Sequence, residues 1–481
     1  MPRVLDADYS QVLLLPPSME DWVAADSAAR FIREFVESIS VEELDLRSDA
    51  DDSLEGRPRY SEALLLRVWL YAYFCRVRST RKVEEACRQR MDFIWLSGNL
   101  QPDHLTLWRF WSQHKKTVRQ LFRQTVKVAK QMNLVGLVLQ AIDGTKIQAV
   151  CSGRQVWNEA ALKEKLAALE AQLDAALTTL ESQIESSAEE VAPAAQLPLE
   201  LQQKQVLKGK IAAALAQVEA GETRYCHPQE LEARRMECDG RNRFGYNAQA
   251  VVDQKTQIIV GAEVVTTEAD NQQLGLMLSS AEATVGAKAQ QTVADGGYCT
   301  GAQMAAAQSA GYEVLSPIPG DPKTAADGPY HVSRFVYDEA KDVMICPQRQ
   351  ELPFRREREV KAVVRREYRG VAAVCRACLA FGQCTKDRHG RTVERWPWTE
   401  VMIAHRAKMA SAAAVETYAL RGQIVEPVFG WIKGNWGFRR WTVRGLAKVT
   451  AQWLWICAAS NLRQLYRRWQ EQSGAEAAAA A

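Results

Sequence analysis

The chain has 481 residues, of which 47% are hydrophobic, so it is long enough to form several domains around a large core. Its net charge is only +3, but the charges are sorted along the chain. Residues 1–56 are acidic, whereas 67–130 and 421–468 are basic, which predicts surfaces that face a polyanion. No apolar run reaches the length of a membrane span, and Asp6 and Asp8 interrupt any secretory signal pattern. We therefore expect a cytoplasmic protein whose eleven cysteines are thiols or metal ligands.

The first part of the chain has the pattern of helices. Residues 1–60 form an acidic segment with a helical period in AARFIREFVESI, and residues 61–135 are predicted to form an all-helical domain. After a helical run that Gly98 ends, a turn precedes a basic helix, an order that resembles a DNA-binding helix-turn-helix. A plain helical bundle with a basic face is the alternative. The cations expected to face DNA are Arg109, Lys115, Lys116 and Arg119.

The periodicity then changes to that of an α/β fold. Residues 136–156 and 223–325 read as three meandering strands followed by alternating helices and strands, which is consistent with a ribonuclease-H-like mixed sheet. Asp143 interrupts the first strand, and Asp295 ends the strand QTVAD, where such sheets place ligand-binding side chains. Each could instead be a turn residue, and Asp143-Gly144 is a strong hairpin-turn signal.

Two segments interrupt this predicted core. Residues 157–222 carry Leu and Ile at three- and four-residue steps in two runs, which predicts an inserted helical hairpin or short coiled coil, with dimer contacts or DNA clamping as a second interpretation. Residues 326–400 form a charged, cysteine-containing insertion. Four thiolates can hold a structural Zn²⁺ and so fold a segment with few apolar residues, although unligated thiols are the alternative. The candidate ligands are Cys346, Cys375, Cys378 and Cys384.

The C-terminal region, 401–470, contains the stretch YALRGQIVEPVFGWIKGNWGFRRWTVRGLAK, and residues 471–481 are predicted to be a disordered tail. Glu426 is the only acid of this stretch. A carboxylate among cations suits a metal-bridged phosphodiester, because the acid can hold Mg²⁺ while the cations bind phosphates. We expect Pro427 to kink the helix and to free backbone groups near the carboxylate. An amphipathic core helix with a solvated basic face is the alternative.

Taken together, Asp143, Asp295 and Glu426 suggest a two-metal site. Three carboxylates that converge on two divalent cations suit in-line displacement at phosphorus, since hard cations prefer oxygen ligands. The basic C-terminal stretch would hold the phosphates beside the scissile bond, and tryptophan could stack on an unpaired base. The residues assigned to DNA binding there are Lys433, Trp436, Arg439, Arg440 and Arg444.

These motifs resemble the bacterial insertion-sequence transposases of the DDE type, which have a ribonuclease-H-like core, and among them insertion-sequence group eleven-eighty-two. The resemblance rests on PDHLTLWRF, AIDGTKIQA, GYNAQAVVD, VADGGY and VEPVFGWIKGNWGFRRWTVRGLAKV, and spans roughly residues 60–470. By this resemblance Asp143, Asp295 and Glu426 form the catalytic triad. The C-terminal signature of the family matches Tyr418, Arg421, Glu426 and Lys433. Four residues separate Arg421 from Glu426, where the family pattern usually has three.

The resemblance implies an enzyme that cuts insertion-sequence ends and transfers them to target DNA with two Mg²⁺ ions. It also implies double-stranded DNA as partner, a homodimer or higher assembly on that DNA, and association with the nucleoid. Two other functions use the same residues: a non-catalytic DNA-binding descendant of a transposase, and a metal-dependent nuclease without strand transfer. The intact set of three acids argues against the first, whereas the sequence does not separate the second.

Overall fold

The computed structural model describes residues 18–39, 44, 46, 59–186, 199–321, 328–360 and 363–480. Within them the chain folds into helices and two β-sheets, in agreement with the predicted α/β class. None of the helices in these ranges is long and apolar enough to cross a membrane. The helices are α1 (Ala28–Ser38), α2 (Glu62–Phe74), α3 (Thr80–Gln89), α4 (Met91–Leu96), α5 (His104–Gln113), α6 (Thr117–Gln131), α7 (Glu159–Ser186), α8 (Leu199–Glu219), α9 (Leu274–Val285), α10 (Gly301–Ser309), α11 (Ala372–Ala377), α12 (Thr399–Met409), α13 (Ala412–Ala419), α14 (Arg421–Gly430) and α15 (Leu446–Ala480).

The larger sheet is mixed and forms the centre of the molecule. Its strands are β1 (Leu139–Gln148), β2 (Arg234–Cys238), β3 (Arg241–Asp253), β4 (Ile259–Val265), β5 (Gln291–Ala294) and β6 (Val314–Leu315). The strand order is β2-β3-β1-β5-β6. β2 pairs with the first residues of β3, and β4 pairs with the later residues of β3. β1 and β3 are antiparallel, whereas β1, β5 and β6 are parallel. The carboxyl end of β5 therefore lies next to the middle of β1.

The N-terminal helices pack around the C-terminal helix α15 and against the sheet. α15 contacts α2, α6 and β4, and its Trp455 stacks on Tyr73 of α2 with the ring centroids 5.3 Å apart. α1 also contacts α2 and α15, so this helical unit includes part of the segment predicted to end at residue 60. The helix predicted to run continuously to Gly98 is broken at Arg90, whose extended backbone separates α3 from α4.

Helices α7 and α8 project between β1 and β2 and pack antiparallel. Lys163 near the start of α7 pairs with Glu219 at the end of α8 at 3.0 Å, and Lys208 pairs with Glu170 at 2.9 Å. The two helices share a small apolar core of their own, separate from the main core of the protein. Its buried members include Leu162, Leu169, Leu173, Leu201 and Ile211.

The cysteine-containing segment forms a second sheet. Its antiparallel strands are β7 (Val336–Asp338), β8 (Val343–Ile345), β9 (Glu351–Val360), β10 (Val363–Arg369) and β11 (Thr392–Arg395), and they lie in the order β11-β10-β9-β8-β7. Phe335, Met344, Leu352, Tyr368 and Val393 form its buried core. This core is small because β9 exposes charged residues on most of its length. The C-terminal helix α15 extends to Ala480, into the segment predicted to be a tail.

Candidate active site

Asp143 and Asp295 are brought together by the pairing of two parallel strands. In the register of β1 and β5, Ile142 pairs with Ala294, so the residues that follow them are the two aspartates. Asp143 also pairs with Ala250 of β3 within the body of the strand. The alternative of a hairpin-turn aspartate at Asp143 is therefore wrong.

Gly144 follows Asp143 because a side chain does not fit there. An added Cβ would lie 2.3 Å from Nε2 of Gln249 and 2.9 Å from Oδ1 of Asn247, and both of these side chains are fully buried. The Asp-Gly pair thus reflects close packing on the opposite face of the strand and not a turn. Sequence alone does not separate these two causes.

Asp295 lies at the end of β5 and is exposed. Its carboxylate accepts the backbone N–H of Gly297 at 3.4 Å, which caps the turn Gly296–Tyr298. Its carbonyl accepts the hydroxyl of Ser316, which follows β6, at 2.8 Å. The backbone at Asp295 is therefore fixed by neighbouring strand ends while its carboxylate remains open to solvent.

Helix α14 carries Glu426 and Arg421 to the same place. Arg421 Nη1 lies 3.1 Å from Asp143 Oδ2, and its Nη2 lies 4.0 Å from Glu426 Oε1. The side chain of Glu426 is 68% exposed, so it is free to reorient. Arg421 thus joins the acid of β1 to the acid of α14, and the extra residue between Arg421 and Glu426 does not prevent this contact.

The effect expected from Pro427 is partly visible. Pro427 lies inside α14 and has no N–H to offer to the carbonyl of Gln423, four residues earlier. That carbonyl instead accepts Nε2 of Gln257 at 3.1 Å. The helix is interrupted elsewhere, since α13 ends at Ala419 and a π-helical turn at Trp431–Asn435 follows α14.

The charges of these groups influence one another. Burial raises the pKa of Asp143, while the Gly144 N–H and Arg421 oppose this shift and the charge of Asp295 adds to it. Burial likewise raises the pKa of Tyr418, Arg421 lowers it, and Asp295 and Asp143 raise it. Burial disfavours the charged form of Arg421 and so lowers its pKa. Asp143, and to a smaller extent Tyr418 and Asp295, raise it by more, so the pKa of Arg421 is raised overall. Tyr418 and Arg421 therefore lie within the field of both aspartates.

A buried polar network beneath this site was not found from the sequence. Gln249 Nε2 donates to Asp270 at 2.7 Å, and its Oε1 accepts the hydroxyl of Tyr298. Asp270 also accepts Asn247 Nδ2 at 2.7 Å and pairs with Lys146 at 2.9 Å. These bonds connect β1 and β3 to the turn after Asp295. The signal in the sequence was the polar pair Asn247 and Gln249 in an otherwise apolar strand.

The C-terminal cations have protein partners. Lys433 and Arg439 both contact Asp239, at 3.1 and 3.3 Å, and Arg444 lies 3.8 Å from Glu230. Arg440 is exposed, and its backbone bridges to Gln148. Trp436 is only 4% exposed and Trp441 1%, so in this conformation neither ring is open to a base.

In the N-terminal helices, Arg109 is exposed on α5 and Lys115 is partly exposed after it. Arg119 is different, because it donates to both carboxylate oxygens of Glu263 on β4, at 2.5 and 2.8 Å. In this conformation Arg119 therefore joins α6 to the sheet.

The four cysteines predicted to bind zinc line one small cavity of about 30 Å³. Burial raises the pKa of the Cys384 thiol, and the charges of Cys346, Cys375 and Cys378 add to the shift, so the four sulfurs are neighbours. Across the described ranges, however, no three or more Asp, Glu, His or Cys side chains stand in metal-binding geometry. This applies to the cysteines and to the three acids alike.

Two family models match parts of the chain. A model for a transposase DDE domain matches residues 345–466, which include Glu426 and strands β9, β10 and β11 of the second sheet. A model for a transposase domain (DUF772) matches residues 17–113. No curated protein gave a significant match. These matches support a DNA transposase. More particularly, they support a DDE transposase of an insertion sequence, a kind of enzyme that acts on DNA and generally uses divalent metals such as Mg²⁺.

Proposed function

We propose that the protein cuts the ends of an insertion sequence and joins them to target DNA at a site formed by Asp143, Asp295 and Glu426. The observation that carries the proposal is that the three acids lie close together. The two aspartates follow paired residues of β1 and β5, and Arg421 contacts both Asp143 and Glu426. The order of the mixed sheet, with an antiparallel meander beside parallel strands, supports a ribonuclease-H-like core. The insertion-sequence group and the full C-terminal signature remain part of this proposal.

The donor set fits Mg²⁺, because all three groups are carboxylates and Mg²⁺ prefers oxygen ligands. Two bound Mg²⁺ ions would lower the pKa of the attacking water or DNA hydroxyl and stabilise the leaving oxygen. Asp143 would be the fixed ligand, since its backbone lies inside a paired strand. Glu426, on an exposed side chain, would move toward the aspartates. Arg421 would then exchange its contact with Asp143 for a phosphate of the DNA.

The proposed partner is double-stranded DNA, namely the element ends and the target, bound by a homodimer or higher assembly. Incubation with the flanking element DNA and Mg²⁺, followed by mapping of the products, tests this proposal. Joined products with element ends in new DNA support a transposase. Cut ends without joining would indicate a nuclease, and binding without cutting would indicate a non-catalytic descendant.

Lys433 and Arg439 are expected to contact DNA phosphates in competition with Asp239. Changing both to Ala should weaken binding to every sequence alike and reduce the slope of log K against log salt by about 2, since each phosphate contact contributes about 0.9. The change Asp239→Asn should do the opposite and tighten binding. Titration of labelled duplex at several salt concentrations measures both effects.

The control for this measurement is Lys341→Ala, because Lys341 is exposed and pairs with Glu351 in the second sheet. If the slope does not change in the Lys433 and Arg439 variant, the basic face of the C-terminal region is only solvated.

We also propose a structural Zn²⁺ among Cys346, Cys375, Cys378 and Cys384. The cavity they share supports this, and so do two backbone N–H groups that point at sulfur, from Gln350 to Cys346 at 3.3 Å and from Ala380 to Cys378 at 3.4 Å. Such bonds stabilise thiolates, which are the form that binds zinc. A metal would cross-link a sheet whose apolar core is small.

The zinc proposal predicts about one Zn²⁺ per purified chain by elemental analysis. Cys375→Ser should lower the zinc content and the melting temperature together, because a ligand is lost. Cys75→Ser, at a partly buried cysteine among the N-terminal helices, should leave the zinc content unchanged. A protein that contains no stoichiometric metal after purification without chelator would contradict the proposal.

A further inference from the structure

His405 is a buried polar residue of α12, with only 3% of its surface exposed. Its Nε2 lies 2.7 Å from the carbonyl oxygen of Ser316, the residue that follows β6. A carbonyl only accepts hydrogen bonds, so Nε2 is the donor. Within the described ranges Nδ1 has no hydrogen-bond partner. Burial lowers the pKa of His405 by more than the bond to Ser316 raises it, so the ring is neutral and is oriented by that bond.

Two ion pairs hold α12 to the segments on both sides of β6. Arg406 donates to both carboxylate oxygens of Asp321, after β6, at 2.6 and 3.1 Å. Lys408 pairs at 2.8 Å with Glu313, which immediately precedes β6. The helix that carries His405 is therefore attached to the chain around this strand end, and the donor at Nε2 has a fixed place beside Ser316.

Ser316 connects this helix to the candidate catalytic acid Asp295. Ser316 is fully buried, and its hydroxyl donates to the carbonyl of Asp295 at 2.8 Å. The turn after Asp295 packs on the same segment, since a Cβ added at Gly296 would lie 3.1 Å from the carbonyl oxygen of Pro317. The carboxylate of Asp295 is exposed. Its direction therefore depends on the backbone that Ser316 holds.

We propose that His405 is a positioning residue of the candidate active site: through Ser316 it fixes the backbone of Asp295 and so the direction of the carboxylate that would hold Mg²⁺. Groups that orient metal ligands without touching the metal typically contribute about 10- to 100-fold to metal affinity. His405 acts through one further residue, so we expect a smaller effect of about 3- to 10-fold. The proposal rests on the proposed function, because it takes Asp295 as a metal ligand.

The test measures binding of Mn²⁺ to the full chain in complex with the flanking element DNA, with free Mn²⁺ measured by electron paramagnetic resonance. His405→Phe keeps a planar ring but has no donor, so the Kd for Mn²⁺ should rise about 3- to 10-fold. Ser316→Ala should have the same effect, and the double variant should bind no more weakly than either, because both changes break one chain of hydrogen bonds. Asp295→Asn removes the ligand itself and shows which bound Mn²⁺ belongs to this site. The Mg²⁺ concentration that gives half the maximal cleavage rate should rise by the same factor as the Kd.

Two conservative variants separate this role from a role in stability alone. The amide nitrogen of Gln reaches the position of Nε2, whereas that of Asn reaches only the position of Nδ1, which has no partner within the described ranges. His405→Gln should therefore keep the affinity for Mn²⁺, and His405→Asn should lose as much as His405→Phe does. If His405→Phe does not fold, the comparison of Gln with Asn decides.

His227→Phe is the matched control. His227 is only 1% exposed, and its Nδ1 accepts the N–H of Gln229 at 3.1 Å, but it lies in the connection between α8 and β2. This variant should lower the melting temperature without changing the Kd for Mn²⁺. Equal affinity in the wild type, His405→Phe and His405→Asn overturns this inference alone. Wild-type protein that neither binds Mn²⁺ at Asp295 nor cuts the element DNA overturns the proposed function.

Discussion

Replacing Asp143 or Asp295 by Asn should lower the rate of DNA cleavage by about a thousandfold or more while leaving DNA binding nearly unchanged. The substitution keeps the size of the side chain but removes a negative charge, and a neutral amide is a poor ligand for Mg²⁺. Glu426→Gln should have the same effect. Single-turnover cleavage of end-labelled element DNA with Mg²⁺ measures the rate, and a gel shift without metal measures the binding.

Asp174→Asn is the control, because Asp174 is an exposed acid on the helical hairpin, away from the three carboxylates. It should cleave at the wild-type rate. A variant at Asp143, Asp295 or Glu426 that keeps most of the wild-type rate would show that this residue is not a ligand. Melting curves of each variant exclude misfolding as the cause, since Asp295 and Glu426 are exposed and their loss should not destabilise the fold.

The sequence predicts the core well where the period of the side chains is clear. The apolar run before Asp143 supplies the first residues of β1, and the run that begins at Ile259 forms β4, because buried aliphatic residues recur in both. It fails for β9, whose RREREV is exposed along its length and so carries no apolar alternation. That strand is specified by pairing with its neighbours, and a residue pattern does not contain this information.

The candidate site could also be predicted only in part. The acids could be picked out because carboxylates at a strand end or in a cationic helix are unusual. The partners of the cations could not, because Lys433 meets Asp239 and Arg119 meets Glu263 across 194 and 144 residues of chain. Trp436 was assigned to DNA from its basic neighbours, but its ring is buried, and Trp108 is the exposed one. Charge composition alone does not distinguish a solvent-facing ring from a core ring.

The sequence also does not predict the polar contact by which α15 is held to the sheet. Asn461 lies in an apolar stretch of α15 and is fully buried. Its Oδ1 accepts the backbone N–H of Ile259 at 2.8 Å, and its Nδ2 donates to the carbonyl of Ile259 at 2.9 Å and to Thr125 Oγ1 at 3.1 Å. The amide thus acts as a pairing partner for β4, which lies at the edge of the sheet.

Asn461→Ala should therefore destabilise the protein by about 2–5 kcal/mol, because it leaves two buried backbone groups of Ile259 without partners, at about 1–3 kcal/mol each. Urea unfolding followed by circular dichroism measures the change. Gln464→Ala, one turn further along α15 on a partly exposed side chain, is the control and should cost less than about 0.5 kcal/mol.

A second variant separates hydrogen bonding from packing at this position. Asn461→Leu replaces the amide with an apolar side chain of similar size. This change would be tolerated if Asn461 only filled the space that separates α15 from α6 and β4. Because the amide pairs with the strand edge, we expect Leu to destabilise the protein at least as much as Ala does. If Leu instead restores wild-type stability, the edge of β4 does not need a polar partner, and the helix is held to the sheet by apolar packing alone.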